Sequence, residues 1–167
     1  MTTKIKDLVM LVAGLFILFY AFHDFMLILP VPVALSDKDP IVERAEIVLE
    51  AAGAPKNKIP LLSKSVANAS KVTEFSPDLL VALIKTESEF RRDVVSEKGY
   101  KGEMQTKWAS EYSEVNILFG AKVLETKYRI ANGDLLQALT LYKGGDNPVA
   151  RKYAKKTLNL YQQLARL

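Results

Sequence analysis

The sequence predicts a mainly α-helical domain preceded by one N-terminal transmembrane helix. Three observations carry that prediction. Apolar residues recur at helical spacing, as at Leu80, Leu83 and Ile84. Helix starts are marked by Asp39-Pro40, Ser76-Pro77, Asp134 and Asn147-Pro148. Each pairs a side chain able to cap a helix with a residue that tolerates the first turn. Strand-like alternation is scarce, and there are no repeats or low-complexity segments.

Residues 1–35 form a separate object. Lys4 and Lys6 precede an apolar run from Leu8 to Phe22, and apolarity resumes after His23-Asp24 through Leu29. Residues 8–29 are long enough to span a bilayer. The leading lysines place the N-terminus inside and residues 36–167 outside the cytoplasmic membrane. Asp24 lies near the outer end, where its cost falls. A cleaved signal peptide is the rival reading, but Pro32-Val33-Ala34 is the nearest thing to a cleavage site, so an uncleaved anchor is favoured.

Residues 36–167 are one domain with enough chain to bury a core. Asp39-Pro40 opens a helix that should end near Gly53. Ala54 to Pro60 is a link, and Leu61 to Glu74 a second helix. The third begins with Ser76 as N-cap, Pro77 at the first helical position and Asp78 at the positive end of the helix dipole. An irregular stretch follows from Val94 to Gln105, and a short helix should begin there. Ser113 to about Ala131 is a long helix stopped by Asn132-Gly133. Asp134 caps a shorter one ended by Gly144-Gly145, and Asn147-Pro148 starts the last.

The third helix carries the most informative residue. Continuing its apolar stripe by one step reaches Glu87, three residues after Ile84 and four after Leu83. A carboxylate on an apolar face is costly to ionise, so its pKa rises. A glutamate still protonated near neutral pH is what a general acid needs. The plainer alternative is a helix-end carboxylate paired with Arg91 or Arg92.

Composition removes whole classes of chemistry. The chain has no cysteine and one histidine, His23, within the apolar N-terminal stretch. Cys/His zinc sites, cysteine peptidases and serine hydrolases with a histidine base are excluded, as are disulfides and lipid-modified cysteine. No phosphate-binding glycine loop is present. No cofactor or metal is expected. The net charge is +4 and the pI about 9.2. The densest basic cluster, Arg151, Lys152, Lys155 and Lys156, suits a solvated helix face better than a nucleic-acid platform. Attraction to an anionic wall or membrane surface is a lesser alternative.

From Glu87 to Gln105 the chain reads Glu-Ser-Glu-Phe-Arg-Arg-Asp-Val-Val-Ser-Glu-Lys-Gly-Tyr-Lys-Gly-Glu-Met-Gln. This resembles the lytic transglycosylase family with a lysozyme-like fold, whose pattern is roughly E-S-x-F-x-x-x-A-x-S-x-x-G-A-x-G-L-M-Q. Glu87, Ser88, Phe90, Ser96, Gly99, Gly102, Met104 and Gln105 match without a gap. Asn116-Ile117-Leu118-Phe119-Gly120 is similar to the family's N-I-x-x-G helix start. Ala138-Leu139-Thr140-Leu141-Tyr142-Lys143-Gly144-Gly145 is similar to its A-L-x-x-Y-N-x-G segment. The departures are Glu103 for a leucine, Lys143 for an asparagine, Val94 and Tyr100 for small alanines, and Thr106-Lys107-Trp108-Ala109-Ser110 for T-P-x-T-A.

The resemblance implies a peptidoglycan lytic transglycosylase acting on glycan strands outside the cytoplasmic membrane. Glu87 would protonate the bond between N-acetylmuramic acid and N-acetylglucosamine. The muramic acid's own C6 hydroxyl would then attack the anomeric carbon, giving a 1,6-anhydro sugar without consuming water. Ser88 and Gln105 would hydrogen-bond the sugar, Met104 would wall its site, and Tyr142 would fix the Glu87 rotamer. Asn116 would cap the long helix or hold the active-site loop. Asp93, Glu97 and Glu103 are expected as solvated charges. Glu103 is the best possible second carboxylate: pointing inward, it would favour a lysozyme-type hydrolase, as in goose-type lysozymes. Small members of the family often serve secretion or conjugation machines or come from phages, and the sequence does not choose among these. A non-catalytic peptidoglycan-binding scaffold is the rival outside the enzymes, resting on Glu103 and Lys143.

Overall fold

The computed structural model describes residues 38–73 and 75–167. The membrane segment expected at residues 8–29, the domain division after residue 35 and His23 lie outside the described residues. Among the described residues, no helix is long and apolar enough to cross a membrane. The helices are α1 (Pro40–Ala51), α2 (Ile59–Thr73), α3 (Pro77–Ser88), α4 (Ser113–Ile130), α5 (Leu135–Tyr142) and α6 (Pro148–Leu164), with a single 3-10 turn at Lys56–Lys58 before α2.

The starts follow the caps in the sequence. Asp39 accepts from the Ile41 amide, Ser76 from Leu79, Asp134 from Gln137 and Asn147 from Ala150, at 2.9–3.3 Å. Each satisfies a backbone donor that the first turn leaves unpaired. The long helix α4 differs: its N-cap, Tyr112, makes no side-chain cap bond. Its partner in order is the loop before it, described below.

Helix α3 is the centre of the core. Leu79, Leu80, Val81, Ala82, Leu83 and Ile84 are all buried, so the helix is enclosed around its circumference and not along one stripe. It packs against α1, α2 and α6, which together leave no solvent face over these turns. Polar side chains pin those neighbours. Arg44 of α1 bonds Asp78 at 2.5 Å and the Leu164 carbonyl at 2.9 Å, tying α1, α3 and the end of α6. Thr86 and Thr157 share a hydrogen bond of 2.8 Å between α3 and α6. On the other side, α4 packs on α2 and α5, and α5 on α6.

The segment between α3 and α4 holds two isolated antiparallel bridges, Val95 with Lys101 and Lys101 with Thr106. The short helix expected after Gln105 does not form. The backbone there is already bonded elsewhere: Thr106 exchanges both backbone bonds with Lys101, and its hydroxyl donates to the Trp108 carbonyl. Ser110 exchanges two bonds with the Asn116 side chain. A helix would have to give up these bonds.

Candidate active site

Helix α3 delivers Glu87 in its last turn, and the chain then reverses sharply. Glu89 and Phe90 take left-handed backbone conformations, with φ of 54° and 64°. Such conformations are costly for residues with a Cβ, so the surroundings must hold them. They do: the Phe90 ring is buried, Lys85 lies over it at 5.4 Å, and Lys58 Nζ donates to its carbonyl at 3.0 Å.

Beyond this reversal the loop forms one wall of an open cleft of about 540 Å³. Its lining includes Glu87, Ser96, Glu97, Tyr100, Gln105, Tyr142, Lys143 and Tyr153. The opposite wall comes from the α5 end and the start of α6. The cleft and the acid it contains are set by three elements meeting: the α3 C-terminus, the loop and the α5–α6 turn.

Glu87 is 5% exposed in its side chain, and Lys143 Nζ donates to its Oε2 at 2.5 Å. Burial pushes the Glu87 carboxyl above its usual value, against the opposing pull of the Lys143 charge and hydrogen bond. Arg91 and Arg92 do not partner it: Arg91 donates to the Ser88 carbonyl and Arg92 to that of Glu111. The alternative of an Arg-paired helix end is therefore set aside.

Tyr142 does not bond Glu87 as expected. Its hydroxyl donates to the Met104 carbonyl at 2.6 Å, bracing the loop from α5. Burial, with the Glu87 charge second, pushes that hydroxyl well above the ordinary tyrosine value. Gln105 lines the cleft with φ of 47°, and its side-chain amide donates to the carbonyls of Val94 and Gly102. Its NH2 group therefore closes the loop.

Ser88, Met104 and Asn116 lie behind the cleft lining. Ser88 is buried and donates to the Ile84 carbonyl. Met104 is buried against α4, where a Cβ on Gly120 would come within 2.3 Å of the Met104 Cβ. The glycine at position 120 is what lets the loop sit down on α4. Asn116 grips the loop at Ser110 and donates to Glu103 Oε2 at 3.0 Å.

Glu103 is buried, contrary to the expectation of a solvated charge. It points inward, but away from Glu87: Ser113 and Asn116 both donate to it, and it lines a separate cavity with Lys58, Arg92 and Asp93. Gly102 beside it has φ of 74°, and a Cβ there would press on the Asn116 amide at 3.1 Å. The carboxylate that does share the cleft with Glu87 is Glu97.

Lys143 and Tyr153 are among the cleft residues that sequence reasoning did not assign to the site. Lys143 was visible only as a departure from the motif. Tyr153 sits four residues after Val149 on α6, and both line the cleft, a spacing that was legible but without a target. No group of three or more His, Cys, Asp or Glu able to hold a metal occurs among the described residues.

A helical domain with a buried acid in an open cleft is consistent with the lysozyme-like domain expected from the motifs, and comparison with known proteins agrees. The chain resembles a solved structure of an inactive mutant of lytic transglycosylase Slt from Pseudomonas aeruginosa, with a TM-score of 0.55 and 16% identity. That match covers 80% of this chain and 31% of the other, so this chain spans about a third of the length of that protein. No curated protein matches it. The sequence model of the transglycosylase SLT domain matches residues 64–163. The chain belongs to the transglycosylase SLT domain family.

Proposed function

We propose that this chain is a peptidoglycan lytic transglycosylase that cleaves the bond between N-acetylmuramic acid and N-acetylglucosamine, with Glu87 as general acid and then base. The observation that carries the reading is the buried Glu87 carboxyl, lifted above its usual range, on the floor of a cleft large enough for a sugar. Family membership and the lytic transglycosylase neighbour support it.

The proton balance is simple. Protonated Glu87 gives its proton to the glycosidic oxygen, and the bond from the anomeric carbon to that oxygen breaks. The C6 hydroxyl of the same muramic acid forms the new bond to that carbon and loses its proton to the Glu87 carboxylate. Glu87 ends protonated as it began, no water is consumed, and the product carries a 1,6-anhydro ring. The nucleophile is tethered to the reacting carbon, so no second carboxylate is needed to activate water. In this reading Gln105 offers its carbonyl oxygen to a sugar, and Tyr142 acts indirectly by bracing the loop at Met104.

Hydrolysis of the same bond keeps one specific support, the presence of Glu97 in the same cleft. Glu103 does not supply it, because it faces Ser113 and Asn116. The test is digestion of purified sacculi by the wild-type protein and by Glu87→Gln and Glu97→Gln. Loss of product in Glu87→Gln alone supports the transglycosylase. Loss in both, with reducing-end products from the wild type, supports the hydrolase. Sacculus binding without any product supports a scaffold.

The place of action is part of the proposal. The lysines before the apolar run and the length of residues 8–29 support a single-pass anchor in the cytoplasmic membrane with the domain on its outer face. A secretion or conjugation apparatus is the kind of partner such an enzyme serves. Membrane fractionation and protease accessibility of intact cells test the anchor and its orientation.

A further inference from the structure

The residue in contact with Glu87 is one of those at which the chain departs from its family's motif. Lys143 stands where asparagine is usual, and its ammonium lies 2.5 Å from Glu87 Oε2. Among the described residues it supplies the carboxyl's ion pair and hydrogen bond. An asparagine there could offer a hydrogen bond but no charge.

The surroundings show a lysine held in place from two sides. Lys143 is the C-cap residue of α5, with its backbone amide bonded to the Leu139 carbonyl. Its ammonium also lies 4.8 Å from the centre of the Tyr153 ring on α6. Its side chain is 28% exposed toward the cleft. The contact to Oε2 orients the carboxyl and leaves Oε1 as the oxygen that can meet the glycosidic bond.

Other ionisable groups are less well placed. On α3 itself, Lys85 is engaged with the Phe90 ring. On α5, the Tyr142 hydroxyl is bonded to Met104. From the loop, Glu97, Lys98 and Tyr100 line the cleft without a bond to Glu87, and α6 contributes Tyr153. Lys143 therefore dominates the local field at the acid.

We propose that Lys143 is a positioning residue that holds the Glu87 carboxyl by Oε2, opposes its protonation, and so sets the upper pH limit at which the general acid works. This rests on the reading of Glu87 as that acid. The sign follows from electrostatics. A cation beside a carboxylate favours the charged form, so removing it raises the Glu87 pKa. The acid form then persists to higher pH, and the alkaline limb of the rate profile moves up.

The test compares wild type, Lys143→Met and Lys143→Arg in the pH dependence of kcat/KM for product release from sacculi. The expected result is an alkaline limb shifted up by about one to three pH units in Lys143→Met. Lys143→Arg, which keeps the charge, should stay close to wild type. A lowered rate in Lys143→Met with an unmoved limb overturns the proposal, because a merely structural lysine would behave that way. A carbon-13 NMR titration of the Glu87 carboxyl, assigned by its loss in Glu87→Gln, reads the same shift without turnover. An unchanged titration overturns the proposal even if the wild type proves inactive. Inactivity at every pH with a shifted titration instead overturns the functional reading and leaves the Lys143–Glu87 coupling standing.

Discussion

Replacing Glu103 tests how the loop beside the cleft is held. The carboxyl is 1% exposed and accepts from two donors, the Ser113 hydroxyl and Asn116 Nδ2. Glu103→Gln keeps the shape. Its oxygen can face Asn116, and its NH2 can donate to Ser113, whose hydroxyl is able to turn and accept. What is lost is the extra strength of charge-assisted bonds, about 1–2 kcal/mol in all. Glu103→Leu restores the residue usual in the family but leaves two buried donors without an acceptor. Each such donor costs about 1–3 kcal/mol, so the loss is about 2–6 kcal/mol before any gain from the apolar side chain. That gain is at most about 2 kcal/mol for a leucine already in a packed site. The net cost is then about 0–4 kcal/mol, with a midpoint above that of glutamine, so leucine should be the more damaging change, although it is the family's own residue. Guanidinium unfolding of the full chain, followed by circular dichroism, measures both. A Glu103→Leu protein more stable than Glu103→Gln would refute that order, since it would mean that Ser113 and Asn116 do not depend on an acceptor at this position.

Gly120→Ala should destabilise the protein by about 1–3 kcal/mol, read in the same unfolding assay, because the new Cβ would fall 2.3 Å from the Met104 Cβ. Tyr142→Phe removes the bond to the Met104 carbonyl at a cost of about 1 kcal/mol, and should lower the rate of sacculus digestion more than binding to sacculi. Ser76→Ala should cost about 1 kcal/mol of stability with little effect on product identity, since the cap lies at the far end of α3. Glu87 gives a signed pH dependence. Its folded pKa is raised above the ordinary 4.5, so its contribution to stability is fully present below that value and is lost as pH rises through the folded pKa. The stability difference between Glu87→Gln and wild type, measured by unfolding across pH, should therefore move in favour of the glutamine over that window.

Helix starts were legible because a cap is a local device. Asp39, Ser76, Asp134 and Asn147 each act on an amide two or three residues away, and each forms its bond. The position of Glu87 was legible for the same reason, one step along an apolar spacing. Side-chain partnerships across the chain were not. Tyr142 reaches Met104, and Lys143 reaches Glu87 across 56 positions, in a tertiary arrangement where α6 packs on both α3 and α5, which no local pattern encodes. Glu103 and Asn116 show the same limit: a carboxylate in a glycine-rich turn looks solvated until α4 is laid over it. The missing helix after Gln105 is a case of tertiary bonding overriding local preference, with Asn116 holding Ser110 on both its backbone groups.

The central claim is the chemistry of Glu87, and the most direct measurement is mass spectrometry of the muropeptides released when the full chain digests purified sacculi. Transglycosylase chemistry at Glu87 gives products ending in 1,6-anhydro-muramic acid, absent with Glu87→Gln. Products heavier by one water, with reducing ends, would contradict it and make the enzyme a hydrolase.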